Sequence, residues 1–474
     1  MSGQGGFADR AHRALHDAQL RANFRRAMDG LMTKRRAVFD DQEELEALRD
    51  LGAAIRRDAL AGLPDLLEKL EENCTANGIQ VHWAQTIQEA NEIVLEIARQ
   101  HDAKRIIKGK SMVSEEMHLN DFMARHGIEC LESDLGEYII QLDHEMPSHI
   151  IMPAIHKNRD QIAHLFEREV ERGHYTEDVD ELTAMARRKL REAFMSADIG
   201  LSGVNFAVAE TGTLCLVENE GNGRMCTTVP PVHVAVMGIE KVVERLSDVP
   251  PLLSLLTRSA TGQPITTYFN MITSPRRPGE RDGPKEVHLV LLDNGRSRIY
   301  ADPDLRQTLQ CIRCGACMNH CPVYGRIGGH AYDAVYPGPI GKILTPQLEG
   351  LDAAGELATA STLCGACGEV CPVRIPIPRI LVRLRREAVE PPAGSPVPGA
   401  GSRRRGLEAW IWRRWSALHA NPERYRFFTS LGVRFGRFLP NIGALKAWCS
   451  VRSRPRPAPK TLHQMARERR IANE

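Results

Sequence analysis

The stretch EELEALRDLGAAIRRDALAGLPDLLEKLEENC places Leu45, Leu48, Leu51 and Ile55 at spacings of three and four with charged residues between them, the periodicity of a helix with one apolar face. Residues 1–65 therefore read as an N-terminal region of packing helices. Beyond it the pattern changes. From 66 to 300, helical stretches alternate with short β-branched runs: KRIIKG at 104–109, HIIM at 149–152, VNFAVAE at 204–210, TLCLV at 213–217, VHVAVM at 232–237 and EVHLVLL at 286–292. That alternation predicts a layered α/β domain. Gly, Pro and Asp punctuate 274–286 and 291–307 and mark loops at its end. A cysteine-rich segment spans 301–390, and PPAGSPVPGAGS at 391–402 has the composition of a linker. Residues 403–474 form a basic, aromatic C-terminal region, and no period of 20 to 50 residues marks a repeat array.

The chain has 474 residues, enough for about three domains with substantial cores. Hydrophobic residues at 42% and charged residues at 26% are ordinary globular usage, and no apolar run approaches the roughly 18 residues needed to span a bilayer. The opening MSGQGGFADRAHRALHDAQL is broken by Asp, Arg and His before an apolar stretch of signal-peptide length forms. A cytoplasmic protein is expected. The net charge of +2 points to neither nucleic acid nor acidic substrate. It hides an asymmetry: residues 402–474 carry 17 basic and 4 acidic side chains, a net +13 against −11 for the remainder.

Twelve cysteines without an export signal imply metal or redox chemistry rather than disulfides, and seven of them cluster between Cys311 and Cys371. CIRCGACMNHCP supplies Cys311, Cys314, Cys317 and Cys321 in the C-x2-C-x2-C-x3-C-P spacing of a bacterial-type [4Fe-4S] site. Two-residue gaps let one tight loop present three thiolates to three corners of a cubane. In two-cluster ferredoxins the fourth cysteine ligates the other cluster, which predicts a second run. STLCGACGEVCP supplies it, with Cys364, Cys367 and Cys371. One cluster then takes Cys311, Cys314, Cys317 and Cys371, and the other takes Cys321, Cys364 and Cys367. Ser361 stands where the second run would carry a further cysteine. Three forms of the second cluster fit: a [3Fe-4S] cluster, a [4Fe-4S] cluster with a weak oxygen or external ligand, or a cysteine arriving from elsewhere. Because a serine proton is far harder to lose than a thiol proton, an open or labile iron site is favoured. Zinc wants four ligands per site, often with His, and fits seven cysteines in two Cys-Pro-terminated runs poorly. Between the runs, His330, Tyr332 and Tyr336 either tune cluster sulfur through hydrogen bonds or only pack the loop.

Outside the cysteines the densest polar constellation is VNFAVAETGTLCLVENEGNGRMCTTVPP at 204–231. A strand ends at Glu210, a Thr211-Gly212 turn leads into another, and Asn219, Glu220, Gly221, Asn222, Gly223 and Arg224 form a glycine-broken loop. Its glycines permit exposed N–H groups, and Arg224 offers a planar fork for a carboxylate or phosphate. Glu210, Thr211, Asn219, Glu220, Asn222 and Arg224 are the candidate small-molecule site; the alternative is a hairpin loop with a surface Arg, since NEGNGR is neither a Rossmann nor a P-loop spacing. Cys215 and Cys226 flank it as buried small apolar residues rather than ligands.

AETGT, NEGNGR, EMPSHIIMPAIH at 145–156, DNGRSR at 293–298 and the two cysteine runs together resemble the bacterial lactate-utilisation iron-sulfur protein B family over nearly the whole chain. The resemblance implies a lactate-utilisation domain related to sugar-phosphate isomerases and CoA transferases, an α-helical two-cluster ferredoxin module and a family C-terminal region. It implies two iron-sulfur clusters on the seven cysteines, with the position of Ser361 non-cysteine across the family. It also implies two partners, one cysteine-rich subunit and one carrying a second lactate-utilisation domain, which together oxidise L-lactate to pyruvate and allow lactate to serve as carbon and energy source. The chain is then an electron-transfer subunit of an L-lactate oxidoreductase rather than a complete enzyme, and no flavin or nicotinamide motif is present in it. The rival functions are the iron-sulfur subunit of another 2-hydroxy-acid oxidoreductase of glycolate type, and a non-catalytic redox-sensing scaffold. In the tail, Trp410, Trp412, Trp415 and Trp448 are four of the chain's five tryptophans and lie among basic residues. They suit an acidic partner or an anionic membrane surface where an electron acceptor resides, or else form a solvated basic face over packed aromatics. Nucleic acid is not expected.

Overall fold

The run EVHLVLL is apolar at positions of both parities, and a parallel strand covered by helices on each face is the arrangement that accepts it. In the computed structural model, which describes residues 5–403, 406–438, 440–449, 452–454 and 456–469, this run is a central strand. Among the described residues the strands are β1 (Gln80–Ala84), β2 (Arg105–Lys108), β3 (Glu129–Glu132), β4 (Ile199–Gly203), β5 (Phe206–Val208), β6 (Thr213–Glu218), β7 (Val232–Gly238), β8 (Val242–Val243), β9 (Tyr268–Ile272) and β10 (Glu286–Leu292). Six form an all-parallel sheet in the order β1-β10-β7-β4-β2-β3. The other four make a small sheet, β8-β5-β6-β9, in which the β5–β6 hairpin carries the Thr211-Gly212 turn. The run HIIM is not a strand. Prolines 147 and 153 bracket it, and the His149 ring Nδ1 accepts from the N–H groups of Ile151 (3.0 Å) and Met152 (3.2 Å), which a ladder would otherwise use.

The N-terminal helices form as the periodicity predicts, with Asp41 capping helix Gln42–Ala61 by accepting from the N–H groups of Glu43 and Glu44. They share cores with both the α/β region and the cysteine-bearing segment. One cluster of buried side chains runs from Leu67 and Leu70 through Met237 and Leu289 of the large sheet to Ile343 and Leu384 of the cysteine-bearing segment. Another joins Phe24 and Met28 of helix Ala18–Val38 to Met318, Tyr324 and Tyr332. The opposite face of the sheet packs Val234 and Val290 on Val94 and Ala98 of helix Ile87–Gln100. Residues 1–402 accordingly make one compact unit. The stretch 391–402 has no helix or strand but is fastened to this unit rather than free: Val397 is buried, Pro398 O accepts from Leu351 N–H (2.7 Å) and Gly401 N–H donates to Glu387 O (2.8 Å).

Residues 403–474 are the second unit. Helices Gly406–His419 and Pro422–Phe435 meet through Trp415, whose ring stands edge-on to Phe428 at 5.8 Å. Trp410, Trp412, Phe427, Phe435 and Phe438 are exposed, so aromatic surface as well as charge faces outward. The side chain of Trp448 lies outside the described residues. No helix among the described residues is long and apolar enough to cross a membrane.

Candidate cluster sites and a strand-end cavity

Each cysteine run folds as a tight loop in which a left-handed residue and a left-handed glycine precede one turn of helix. In the first run these are Arg313 (φ 61°) and Gly315 (φ 73°), leading into Ala316–Asn319; in the second they are Leu363 (φ 54°) and Gly365 (φ 90°), leading into Ala366–Glu369. An offset of 50 positions relates the runs, pairing Cys314 with Cys364, Cys317 with Cys367, Cys321 with Cys371, and Cys311 with Ser361. Cys311, Cys314, Cys317 and Cys371 line one cavity with Ile150, Arg313 and Ile340. Cys321, Cys364 and Cys367 line a second with Ser361, Pro339 and Lys342. The first turns of helices Gly338–Glu349 and Ile377–Val389 divide the two, Ile340 and Ile377 lining the first while Pro339 and Pro378 line the second.

The surroundings of the sulfur atoms suit thiolates. Backbone N–H groups of Arg313, Tyr324 and Ile375 donate to Cys311 Sγ (3.4 Å), Cys321 Sγ (3.5 Å) and Cys371 Sγ (3.3 Å), and Lys342 Nζ donates to Cys321 Sγ at 3.5 Å. Burial, then the neighbouring cysteines, pushes the Cys314 and Cys317 thiols far up, and burial pushes Cys367 and Cys371 up to about 11. Thiols crowded in this way ionise when a bound cation supplies the countercharge. A tetrahedral zinc with 2.3 Å bonds would draw its sulfurs to about 3.8 Å. Among the described residues, the sets of three or more ligand atoms within 4.8 Å of one another are His101, Glu286 and His288, and Glu145, His156 and His330, with no cysteine in either. No three of the seven thiols lie mutually within 4.8 Å, a wider setting than a single tetrahedral zinc would draw together.

A third cavity of about 270 Å³ opens where the central parallel strands end, the usual place for a ligand on such a sheet. Lys110 and Ser111 follow β2, Asn205 follows β4 and Lys241 follows β7; Asn219, Glu220 and Asn222 come from the glycine-broken loop. Its remaining wall includes Ile150 and Arg313, which also line the first cysteine cavity. Arg313 lies between Cys311 and Cys314 and is one-tenth exposed; its Nη2 pairs with Glu240 at 3.3 Å, its guanidinium lies 4.8 Å from the Tyr336 ring centre, and its buried Nη1 has no partner. Burial, reinforced by Arg313, lowers the Lys241 ammonium to about 7, and crowding in the loop with the charge of Asp134 raises the carboxyl of the surface-exposed Glu220.

A buried ionic network holds this wall. Arg296 is fully buried and donates to Glu240 from Nε (2.7 Å) and to Glu116 from Nη1 (2.9 Å) and Nη2 (2.8 Å). Glu116 also accepts from Tyr336 Oη at 2.7 Å, and Glu240 pairs with Arg313. Burial pushes both carboxyls up, but Arg296 more than offsets it, holding Glu116 below its ordinary value and, with Arg313, Glu240 at about 2. Arg56 of helix Gln42–Ala61 donates to the carbonyls of Glu240, Val242 (2.8 Å) and Leu309 (3.3 Å), and Arg49 donates to Cys371 O at 3.1 Å.

Three family matches tile the chain. The LUD domain covers residues 67–292, the 4Fe-4S dicluster domain 307–375 and the lactate utilisation protein B C-terminal family 383–471. "Lactate utilization protein B" of Anoxybacillus flavithermus is 41% identical over 472 residues, covering 98% of each chain. This chain belongs to the lactate utilisation protein B family. The protein of that name from Bacillus subtilis strain 168 is 43% identical over 83% of this chain and 82% of its own, and the "Uncharacterized electron transport protein YkgF" of Escherichia coli K12 is 45% identical over 81% and 80%. An iron-sulfur lactate-utilisation protein with a ferredoxin-type dicluster region is thereby shown, and the basic tail falls within a C-terminal region that has its own family.

In this family member the six candidate loop residues divide. Asn219, Glu220 and Asn222 line the strand-end cavity. Glu210 and Thr211 do not: they sit at the hairpin turn docked on helix Leu63–Ala76, where Asn77 Nδ2 donates to Thr211 O (2.9 Å) and Glu210 accepts from Leu246 N–H (2.9 Å). Arg224 is exposed on helix Asn222–Thr228. The loop does not offer a cradle of free N–H groups, because the Glu218 carboxylate takes those of Gly221 (2.5 Å) and Arg224 (3.3 Å). Cys215 and Cys226 are fully buried. His330 bonds to Met146 O (2.7 Å) and Tyr336 to Glu116, and the buried Tyr332 hydroxyl has no hydrogen-bond partner; the side chain from this stretch that donates to cysteine sulfur is Lys342, beside the Tyr324 backbone N–H. Lys110, Lys241 and Arg313 were not legible as cavity residues, since 203 positions separate the first from the last.

Proposed function

We propose that the chain is the iron-sulfur electron-transfer subunit of an assembly that oxidises L-lactate to pyruvate, so that lactate serves as carbon and energy source. Cys311, Cys314, Cys317 and Cys371 would hold a [4Fe-4S] cluster, and Cys321, Cys364 and Cys367 a second cluster. Bound there, the clusters supply one-electron carriage. The observation that carries the proposal is the wall of Arg313 and Ile150, common to the strand-end cavity and the first cysteine cavity. Lys110 and Lys241 line that cavity and give it basic groups for a small carboxylate, and Glu220 gives it a carboxyl. Lactate oxidation releases two electrons and two protons, so a two-electron acceptor such as a flavin belongs to a partner. The partners proposed are a cysteine-rich subunit and a subunit with a second LUD domain, with an electron acceptor met by the exposed aromatic and basic C-terminal unit. A cytoplasmic location follows from the same proposal.

The test is electron paramagnetic resonance on anaerobically purified protein, before and after L-lactate is added with both partners, with glycolate as a parallel arm. Lactate-dependent reduction of two centres supports the proposal. Clusters that stay oxidised while the partners are active refute it, and reduction by glycolate alone moves the function to another 2-hydroxy acid.

A further inference from the structure

The second cysteine cavity has three thiols from the protein and a fourth wall that is not empty of donors. Ser361 lines it together with Cys321, Cys364 and Cys367. Its backbone is the counterpart of Cys311 at the offset of 50, and the two loops repeat each other at every feature that fixes direction: the left-handed residue two positions on, the left-handed glycine four positions on, and the short helix after it. The hydrogen bond repeats as well. Arg313 N–H donates to Cys311 Sγ at 3.4 Å, and Leu363 N–H donates to Ser361 Oγ at 3.1 Å. One loop geometry thus sets a sulfur beside the first cavity and an oxygen beside the second.

We infer that Ser361 is the fourth protein donor of the second cluster, its Oγ occupying the corner that Cys311 Sγ occupies in the first. The inference rests on the proposed two-cluster reading and adds the ligand that reading leaves open. A serine hydroxyl is a weak acid, and iron coordination is what removes its proton: the O–H bond breaks, an Fe–O bond forms, the proton passes to solvent beside exposed Cys364, and no electron moves. Lys342, fully buried against the same cavity, offsets the accumulated negative charge. Arg385 fixes the approach of the segment by donating to Ala358 O (2.8 Å) and Ser361 O (2.9 Å). The hard oxygen donor holds iron less firmly than thiolate and favours its ferric state, so this corner is the one an oxidant would empty first.

The experiment compares the full-length holoprotein with Ser361→Ala and Ser361→Cys, all purified anaerobically, by iron and sulfide content, by the reduction potential of the second cluster, and by the resonance signal after mild oxidation. The wild type should hold about eight irons, four per cubane. Ser361→Ala should lose about one iron and show the oxidised [3Fe-4S] signal as isolated, whereas Ser361→Cys should keep all its iron through oxidant exposure and shift the second potential upward. A wild type already carrying a [3Fe-4S] centre, or an alanine variant identical to it in iron count and oxidised signal, overturns the inference. A wild type with only about four irons instead removes the two-cluster reading itself, and the cysteine variant, whose sulfur requires no change of loop, still reports if the alanine variant fails to assemble.

Discussion

Replacing Arg296 with Met should destabilise the protein through the two carboxylates it leaves behind. The guanidinium makes three charge-assisted bonds, one to Glu240 and two to Glu116, and both partners are buried. Tyr336 and Asn294 would still serve Glu116, and Glu240 would keep Arg313 at 3.3 Å, the neighbouring Lys241 and a backbone N–H. Removing one member of a buried ionic group costs about 3–5 kcal/mol. With roughly 2 cal/mol/K of unfolding entropy per residue, a cooperative unit spanning Met1–Ser402 should melt about 4–6 °C lower, read by circular dichroism on anaerobic protein at one fixed scan rate. The pH dependence separates this cause from simple loss of packing. In the wild type Glu240 is held near 2 against an ordinary 4.5, so its contribution is complete above 4.5 and is lost as pH falls toward 2. Without Arg296 the largest charge opposing burial is gone, and that carboxyl should move up toward or past its ordinary value. Its charge then contributes less stability at neutral pH, or costs some, and the difference from the wild type fades as pH falls through the raised value. The gap between wild type and variant should be widest near pH 8 and narrow toward pH 5. Exchanging Glu116 and Glu240 for Gln in the same variant should recover most of the loss. Equal melting midpoints, or a gap that ignores pH, would refute the account of the network.

Other expectations rest on particular contacts. Lys241→Met should weaken binding of pyruvate or L-lactate to the holoprotein by about 1.5–3 kcal/mol, the worth of a hydrogen bond to a charged group; calorimetry showing an unchanged Kd would remove Lys241 from the site. Gly200→Ala should lower the melting midpoint, because its new Cβ would stand 1.8 Å from the backbone oxygen of Cys226, and overpacking of this kind costs about 1–3 kcal/mol. An unchanged midpoint would mean that helix Asn222–Thr228 yields freely to the substitution. The full chain should sediment with vesicles of anionic lipid at low salt and be released as salt shortens the reach of its charges. A chain ending at Ser402 should not sediment with them; binding indifferent to salt and to that truncation would exclude the C-terminal unit as the docking element.

Periodicity made the N-terminal helices legible because Leu48 and Ile55 pack on the main core and Leu45 is buried, whereas Leu51 of the same pattern is 46% exposed. It exposed the buried strands β7 and β10 for the opposite reason, apolar residues at positions of both parities, interrupted only by His233 in β7 and by Glu286 and His288 in β10. It missed β1, whose QVHWA is partly solvent-facing, and β3 and β4, whose ECLE and IGLSG carry few β-branched residues and owe their conformation to pairing with neighbours. It placed a strand at HIIM because local propensity there has no knowledge of the His149 ring that captures the backbone. The grouping of the seven cysteines around two cavities was legible because each cavity draws most of its cysteines from one short run. The strand-end cavity was only half legible, because it is assembled from the ends of strands far apart in the chain. The one local hint was a cation, Arg313, set between two cysteines.

Burial differs between the two cysteine sites, and on the proposed function this difference gives electrons a direction. Cys314 and Cys371 are buried, and the first site meets the strand-end cavity through Arg313 and Ile150. Cys364 is exposed, with Leu363 exposed beside it, so the second site is the one a carrier could approach. The ionic network fixes the inner end, since Glu240 grips Arg313 while Arg296 ties Glu240 to Glu116 and through it to Tyr336. Arg56 and Arg49 fasten the same segments from the N-terminal helix by carbonyls that no side-chain substitution can remove. Such a buried charge network adds little as stability alone, because apolar side chains of like volume serve a core as well or better. Its use here is positional: it holds the residue between two cluster ligands against the wall of the cavity where a small acid would bind. A redox-sensing role would need a cluster that an oxidant can reach and empty easily. In this chain only the second site, with Ser361 in place of a cysteine and a face open to solvent, has that character.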